Sequence, residues 1–165
     1  MGGVFQKKGN MRMELLELAQ EGDWEQVNVL SRQVQALHAS WSPDVYEVVE
    51  YPYPMEYFLE DIQDKCLYVA KKEAFIVGYV RFRLWETNGA GSVKRKMMQI
   101  DDIGVEESLR NQGIGRKIME DLKELAKSIG CTDLNLYVDA KNENAFAYYK
   151  KCGFYVSNIG MLMKL

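Results

Sequence analysis

The chain has 165 residues, 47% of them hydrophobic and 27% charged. These are ordinary globular values, which set aside disorder and fibrous structure and suit one domain that buries its own core. A formal charge of −3 argues against a nucleic-acid binder held by its overall field.

In chain order, residues 1–10 read as an N-terminal extension, native or added, ahead of a single domain over 11–165. A first strand is expected over 13–19. Gly22 and Asp23 then supply a turn and an N-cap for a helix reaching about His38, whose core face is Val27, Leu30, Val34 and Leu37. Trp41-Ser42-Pro43 breaks that helix. The aromatic, proline-containing segment with Tyr46, Tyr51 and Tyr53 either shapes an acceptor pocket or covers the core, and a short helix follows over 55–63.

Strands are expected over 67–70 and 75–86 around a Lys71-Lys72-Glu73 turn, then a loop over 88–92 and a strand over 97–105. The basic run Lys94-Arg95-Lys96 reads as solvated loop, with contact to a phosphate or an acidic acceptor as the alternative. The helix over 115–129 carries an apolar stripe of Ile118, Leu122, Leu125 and Ile129, opposed by a polar face that includes Lys117, Glu120, Asp121 and Lys123, and Gly130 ends it. A strand over 134–138, a helix capped by Asn142 and stopped at Gly153, and a closing hairpin of 154–157 with 161–165 complete the chain. The order βα(α)βββαβαββ predicts a mixed, mainly antiparallel α/β sheet with helices on both faces.

Three cysteines, Cys66, Cys131 and Cys152, form an odd set without metal-ligand spacing. Free thiols in a reducing compartment, hence the cytoplasm, and no metal are expected. No stretch approaches the roughly 18 apolar residues of a membrane span, and the N-terminus lacks the apolar core of a signal peptide. Met1-Gly2 opens like a myristoylation site, but Gln6 stands where Ser or Thr is required.

The most informative run is Arg110-Asn111-Gln112-Gly113-Ile114-Gly115-Arg116-Lys117, between an expected strand and an expected helix. Glycines there let backbone amides and the positive end of the helix dipole meet an anion, and a phosphate-bearing ligand is the natural occupant. A P-loop is excluded because Gly115 is followed by Arg116 and Lys117 with no hydroxyl for magnesium. A dinucleotide fingerprint is excluded because Ile118 stands at the third glycine and the run lies late in the chain. A helix start that binds nothing stays open.

The stretch Ile103-Gly104-Val105-Glu106-Glu107-Ser108-Leu109-Arg110-Asn111-Gln112-Gly113-Ile114-Gly115 resembles motif A of the GNAT N-acetyltransferase superfamily, Arg/Gln-x-x-Gly-x-Gly/Ala after a strand. A second match, Asn142-x-x-Ala145-x-x-x-Tyr149-x-x-x-Gly153-Phe154, follows in the family's order, and residues 99–154 fit throughout. The resemblance implies the GNAT fold, in which the fourth and fifth strands splay and the pantetheine arm of acetyl-CoA lies between them. Those strands end here at Val105 and Val138. It further implies acetyl-CoA as co-substrate, its pyrophosphate on the loop of Arg110, Asn111, Gln112, Gly113, Ile114, Gly115 and Arg116, and its pantetheine and thioester on backbone near Ile103, Gly104 and Val105, with Asn142 as an anchor or helix cap. Gly104 is expected to mark a bulge that turns an amide toward the ligand.

Acetyl transfer to an amine needs an unprotonated nucleophile, an oxyanion donor and an acid for the leaving thiolate. Tyr149 matches the family's general-acid tyrosine, with a core aromatic as the alternative, whereas Tyr148 points elsewhere on the helix. Asp101 and Asp102 precede Ile103, and the segment is similar to the acidic placement of spermidine/spermine acetyltransferases, where such groups assist deprotonation and hold a cationic acceptor. Strand alternation predicts that one of the two faces the cleft and the other the opposite layer; solvated or structural acids are the alternative. The glutamate that other members carry earlier on this strand is absent, with Met97 and Gln99 in its places, and His38, the chain's one histidine, is read as a helix-terminal imidazole, with a catalytic base as the alternative. The implied partner is a small-molecule or peptide amine, with neither nucleic acid nor membrane expected and a homodimer admitted but not specified. A non-catalytic acyl-CoA-binding or sensor module is the competing reading; it has no need of Tyr149 or the two acids.

Overall fold

The computed structural model describes residues 13–165; the expected extension over 1–10 lies outside them. Five strands, β1 (Leu16–Leu18), β2 (Leu67–Lys72), β3 (Phe75–Thr87), β4 (Arg95–Val105) and β5 (Asp133–Leu136), form one sheet in sequential order. Every pairing is antiparallel except β4 with β5, so the sheet is mixed and mainly antiparallel. The helices are α1 (Trp24–Trp41), α2 (Met55–Gln63), α3 (Ile114–Ser128) and α4 (Glu143–Lys151). None among the described residues is long and apolar enough to cross a membrane.

Period-two alternation sends the sheet's side chains into two cores. Val27, Leu30, Phe58, Leu67, Val69, Ile76 and Tyr79 pack together under α1 and α2. On the other face Val80, Phe82, Met98 and Ile100 meet Ile118, Met119, Leu122 and Leu125 of α3. Helices therefore cover both faces. The helix α1 runs three residues past His38 because the chain stops being helical only at Ser42, the residue before Pro43, where the ring disfavours helical backbone.

Three further expectations are corrected. Asp121 is not part of a solvated face but is buried, where its carboxylate accepts the amides of Glu14, Leu15 and Leu16 at 3.1, 2.7 and 2.8 Å. Those bonds take amides the sheet would otherwise use, and β1 shortens to Leu16–Leu18. The closing hairpin of 154–157 with 161–165 is not formed, and Met161, Leu162 and Leu165 are exposed. A two-stranded hairpin has little stability without a face to bury, and in this segment Phe154 is the residue packed on the core, against Tyr149.

Candidate active site

Parallel pairing of β4 with β5 runs from Met97 opposite Asp133 to Ile100 opposite Leu136 and then stops. Beyond it, residues 102–105 stay paired with β3 but have no partner on the β5 side among the described residues. The two strands thus separate, leaving one edge of β4 open where Ile103, Gly104 and Val105 lie. The Ile103 and Val105 side chains pack toward the α3 core.

A bulge begins this opening. Arg81 pairs with Asp102 and Phe82 with Ile100, so Asp101 is the extra residue. Its consequence corrects the alternation argument. Asp101 binds Arg83 through two bonds, at 2.5 Å from Nε and 2.7 Å from Nη2, while Asp102 accepts the Tyr79 hydroxyl. Tyr79 and Arg83 are an even number of residues apart on β3 and share a face, so both carboxylates engage the same layer. The expected bulge at Gly104 is also corrected: Gly104 pairs regularly with Tyr79. A Cβ there would stand 2.6 Å from the Tyr79 ring, so close packing is what requires glycine.

Past β4 a 3-10 turn (Glu107–Leu109) leads into the glycine-bearing loop. Asn111 and Gly113 are left-handed, with φ of 63° and 86°, and the Arg110 guanidinium closes the loop onto the Val105 carbonyl at 3.1 Å. Among the described residues, the amides of Asn111, Gln112, Gly113, Ile114, Gly115 and Arg116 reach no acceptor in the chain; Lys117 N–H to Gly113 C=O, 3.1 Å, is the first helical bond. The Tyr148 hydroxyl donates to the Gly115 carbonyl at 2.7 Å and fastens α4 to this turn. Asn142 caps α4, its Oδ1 accepting the Ala145 amide at 3.0 Å.

Tyr149 leaves the neighbouring face of α4 half-buried, edge-on to Phe154 at 5.7 Å. Burial, with the fields of Asp102 and Cys152 added, pushes its phenol up to about 12. No protein group hydrogen-bonds its hydroxyl among the described residues. Burial likewise raises the Asp102 carboxyl, partly offset by the Tyr79 hydroxyl and by the charges of His38 and Arg81. Sequence reasoning missed Tyr79 and Arg83, since a tyrosine and an arginine within a strand give no signal of the acids they meet across it. A groove of about 600 Å³ beside the 3-10 turn, lined among others by Val29, Leu30, Phe75 and Leu109, contains none of the expected site residues.

The sequence matches the Acetyltransferase (GNAT) family over residues 33–154. YdgE of Bacillus subtilis (strain 168), an uncharacterized N-acetyltransferase, is 35% identical over 66 residues, 40% of this chain and 42% of that protein. Thialysine N-epsilon-acetyltransferase of Bos taurus is 38% identical over 60 residues, 36% of this chain and 35% of that protein. The matched stretches thus span less than half of these curated relatives. A mutant of the BH1408 protein from Bacillus halodurans superposes with a TM-score of 0.86 at 26% identity, over 92% of this chain and 99% of that one.

Proposed function

Because the chain belongs to the Acetyltransferase (GNAT) family, we propose that residues 11–165 are an acetyl-CoA-dependent N-acetyltransferase domain that moves an acetyl group to a primary amine of a small molecule or peptide, by direct attack in a ternary complex. The observation that carries this reading is the run of unbonded amides from Asn111 to Arg116 at the start of α3, beside the open edge of β4. Amides without an acceptor, aligned with a helix dipole, favour a phosphate-bearing ligand. The pyrophosphate of acetyl-CoA would lie on Arg110, Asn111, Gln112, Gly113, Ile114, Gly115 and Arg116. Backbone at Ile103, Gly104 and Val105 would hold the pantetheine and the thioester oxygen, and Asn142 would keep the start of α4 in place.

Tyr149 is the proposed acid for the leaving thiolate. A phenol held up to about 12 keeps its proton until a strong base forms beside it, and its hydroxyl bonds no protein group among the described residues. Of the two acids, Asp101 is neutralised by Arg83 and would shape the bulge, while Asp102 is the carboxylate whose charge reaches both Tyr149 and His38. That the bovine relative is named for thialysine supports a primary amine as the acceptor class.

Calorimetry with acetyl-CoA, followed by thiol detection of CoA release across polyamines, aminoglycosides, amino acids and N-terminal peptides, tests the proposal. Micromolar binding and turnover with one class are expected. Binding without turnover would make the chain a sensor module, and no binding would refute the reading.

A further inference from the structure

We propose that His38, on the face of α1 that covers the β4 opening, is the group that takes the proton from the amine acceptor. The inference rests on the acetyl-transfer reading above and supplies the base which that reading leaves open.

Placement is the first argument. Val34 lies 3.2 Å from where a Cβ on Gly104 would stand, and residues four apart share a helix face. His38 is therefore one turn further along the face of α1 that covers β4, at the end nearer the bulge. The Lys141 ammonium donates to the Trp41 carbonyl and ties the end of α1 to the connection between β5 and α4. The connection that follows β5 thus meets the end of α1 that carries His38. Its ring is held by Trp41 at 5.8 Å and Tyr46 at 5.3 Å between centroids, and neither ring nitrogen bonds a protein group among the described residues.

Availability is the second. Asp101 is held through both oxygens by Arg83 and one oxygen of Asp102 carries the Tyr79 hydroxyl, so each carboxylate already has a structural partner on β3. An ammonium ordinarily titrates near 10.4, a carboxylate near 4 and an imidazole near 6.5, so imidazole is much the better matched base at neutral pH. The titratable and charged groups around this corner are Asp102 on β4, Tyr79 and Arg81 on β3, Tyr46 after α1, Lys141 before α4 and Tyr149 on α4. Among them Asp102 is the carboxylate on which the His38 charge acts, so the two lie within electrostatic reach of one another.

The proton count closes. The ammonium gives one proton to His38, and the neutral nitrogen attacks the thioester carbon, forming the C–N bond as the C–S bond breaks. Sulfur takes a proton from Tyr149, the nitrogen's second proton restores Tyr149, and the amide keeps the third. His38 then releases its proton to solvent.

His38 is the one histidine of the chain, so in protein without a histidine tag a single imidazole resonance follows it through a pH titration. With the best acceptor of the amine panel, His38→Gln should lower kcat by roughly 10²- to 10⁴-fold at pH 7. Its KM for acetyl-CoA should not change, and activity should recover toward high pH as free amine becomes abundant. The acidic limb of the wild-type kcat profile, which reports the base, should be lost in His38→Gln, a readout that a purely structural His38 would not give. A His38→Gln profile that parallels wild type at every pH overturns the inference alone, whereas wild-type protein that releases no CoA with any amine overturns the acetyl-transfer reading with it. Should His38→Gln fail to bind acetyl-CoA through misfolding, the wild-type protein still decides: an acidic limb of the kcat profile that does not follow the titration of the single imidazole resonance removes His38 as the base.

Discussion

Replacing Gly104 by alanine tests how tightly the β4 opening is built. The new methyl would stand 2.6 Å from Tyr79 Cε1 and 3.2 Å from both Tyr79 Cδ1 and Val34 Cγ2, against a comfortable carbon–carbon contact of about 3.5–4.0 Å. Tyr79 has 0% exposure and its hydroxyl is bound to Asp102, so the ring has nowhere to go without giving up that bond or pushing α1 away through Val34. Overpacking of this kind costs about 1–3 kcal/mol, from which a strand alanine recovers about 0.5–1 kcal/mol of backbone entropy. At 2.6 Å from a buried ring the upper part of that range, about 2–3 kcal/mol, applies, and a net loss of about 1–2.5 kcal/mol should lower Tm by roughly 2–10 °C in a domain of this size. Thermal and urea melts followed by circular dichroism measure the loss. Tyr79→Leu should then couple favourably with Gly104→Ala in a double-mutant cycle, by about 1 kcal/mol or more, since the smaller side chain vacates the clash. A Gly104→Ala protein that melts within about 1 °C of wild type would refute the close-packing account, and with it the view that Tyr79 holds Asp102 in a fixed place.

Three other perturbations follow from the same geometry. Gly113→Ala at φ 86° should cost about 1–2 kcal/mol of left-handed strain and weaken acetyl-CoA binding at least about tenfold by calorimetry; undiminished affinity would move the pyrophosphate off this loop. Tyr149→Phe should bind acetyl-CoA normally yet lose turnover by roughly 10²- to 10⁴-fold, and unchanged turnover would return Tyr149 to the core. Since the folded protein holds this phenol up to about 12 against 10.0, the stability it contributes is complete below about pH 10 and lost between about pH 10 and 12, so the same variant should flatten that part of the alkaline melting curve. Burial and the nearby Asp61 push the Cys66 thiol up to about 11 from 9.0, so iodoacetamide should label it at pH 8 about a hundred times more slowly than a free thiol; equal rates, read by peptide mass mapping, would contradict its burial.

The elements most legible in the sequence were those whose signal is local. The apolar stripe of Ile118, Leu122 and Leu125 is a 3.6-residue period, and Gly130 after it takes the left-handed conformation, φ 79°, that ends a helix. The start of α3 was readable for the same reason, because Gly113 acts through its own left-handed backbone, φ 86°. Asp121 was misread because its fate depends on amides more than a hundred positions away, beyond any window in which periodicity is measured. The closing hairpin was misread because alternation records a capacity to pair, and pairing also needs a partner edge that rewards it with burial.

The two acids show why a site can be named by residue and still be misplaced in space. Side-chain alternation is a rule about an unbroken strand, and one extra residue inverts it for everything on one side of the insertion. Nothing in Ile100-Asp101-Asp102-Ile103 marks that residue, because the bulge exists only relative to β3, where Arg81 and Phe82 continue without a break while β4 carries Asp101 between their partners. The same insertion lies where pairing with β5 ends after Ile100, so a single local irregularity gathers both carboxylates on the layer beneath α1 as the two strands part. The helix above that layer brings His38 toward the same corner, a placement that depends on packing between elements and leaves no mark in the strand itself.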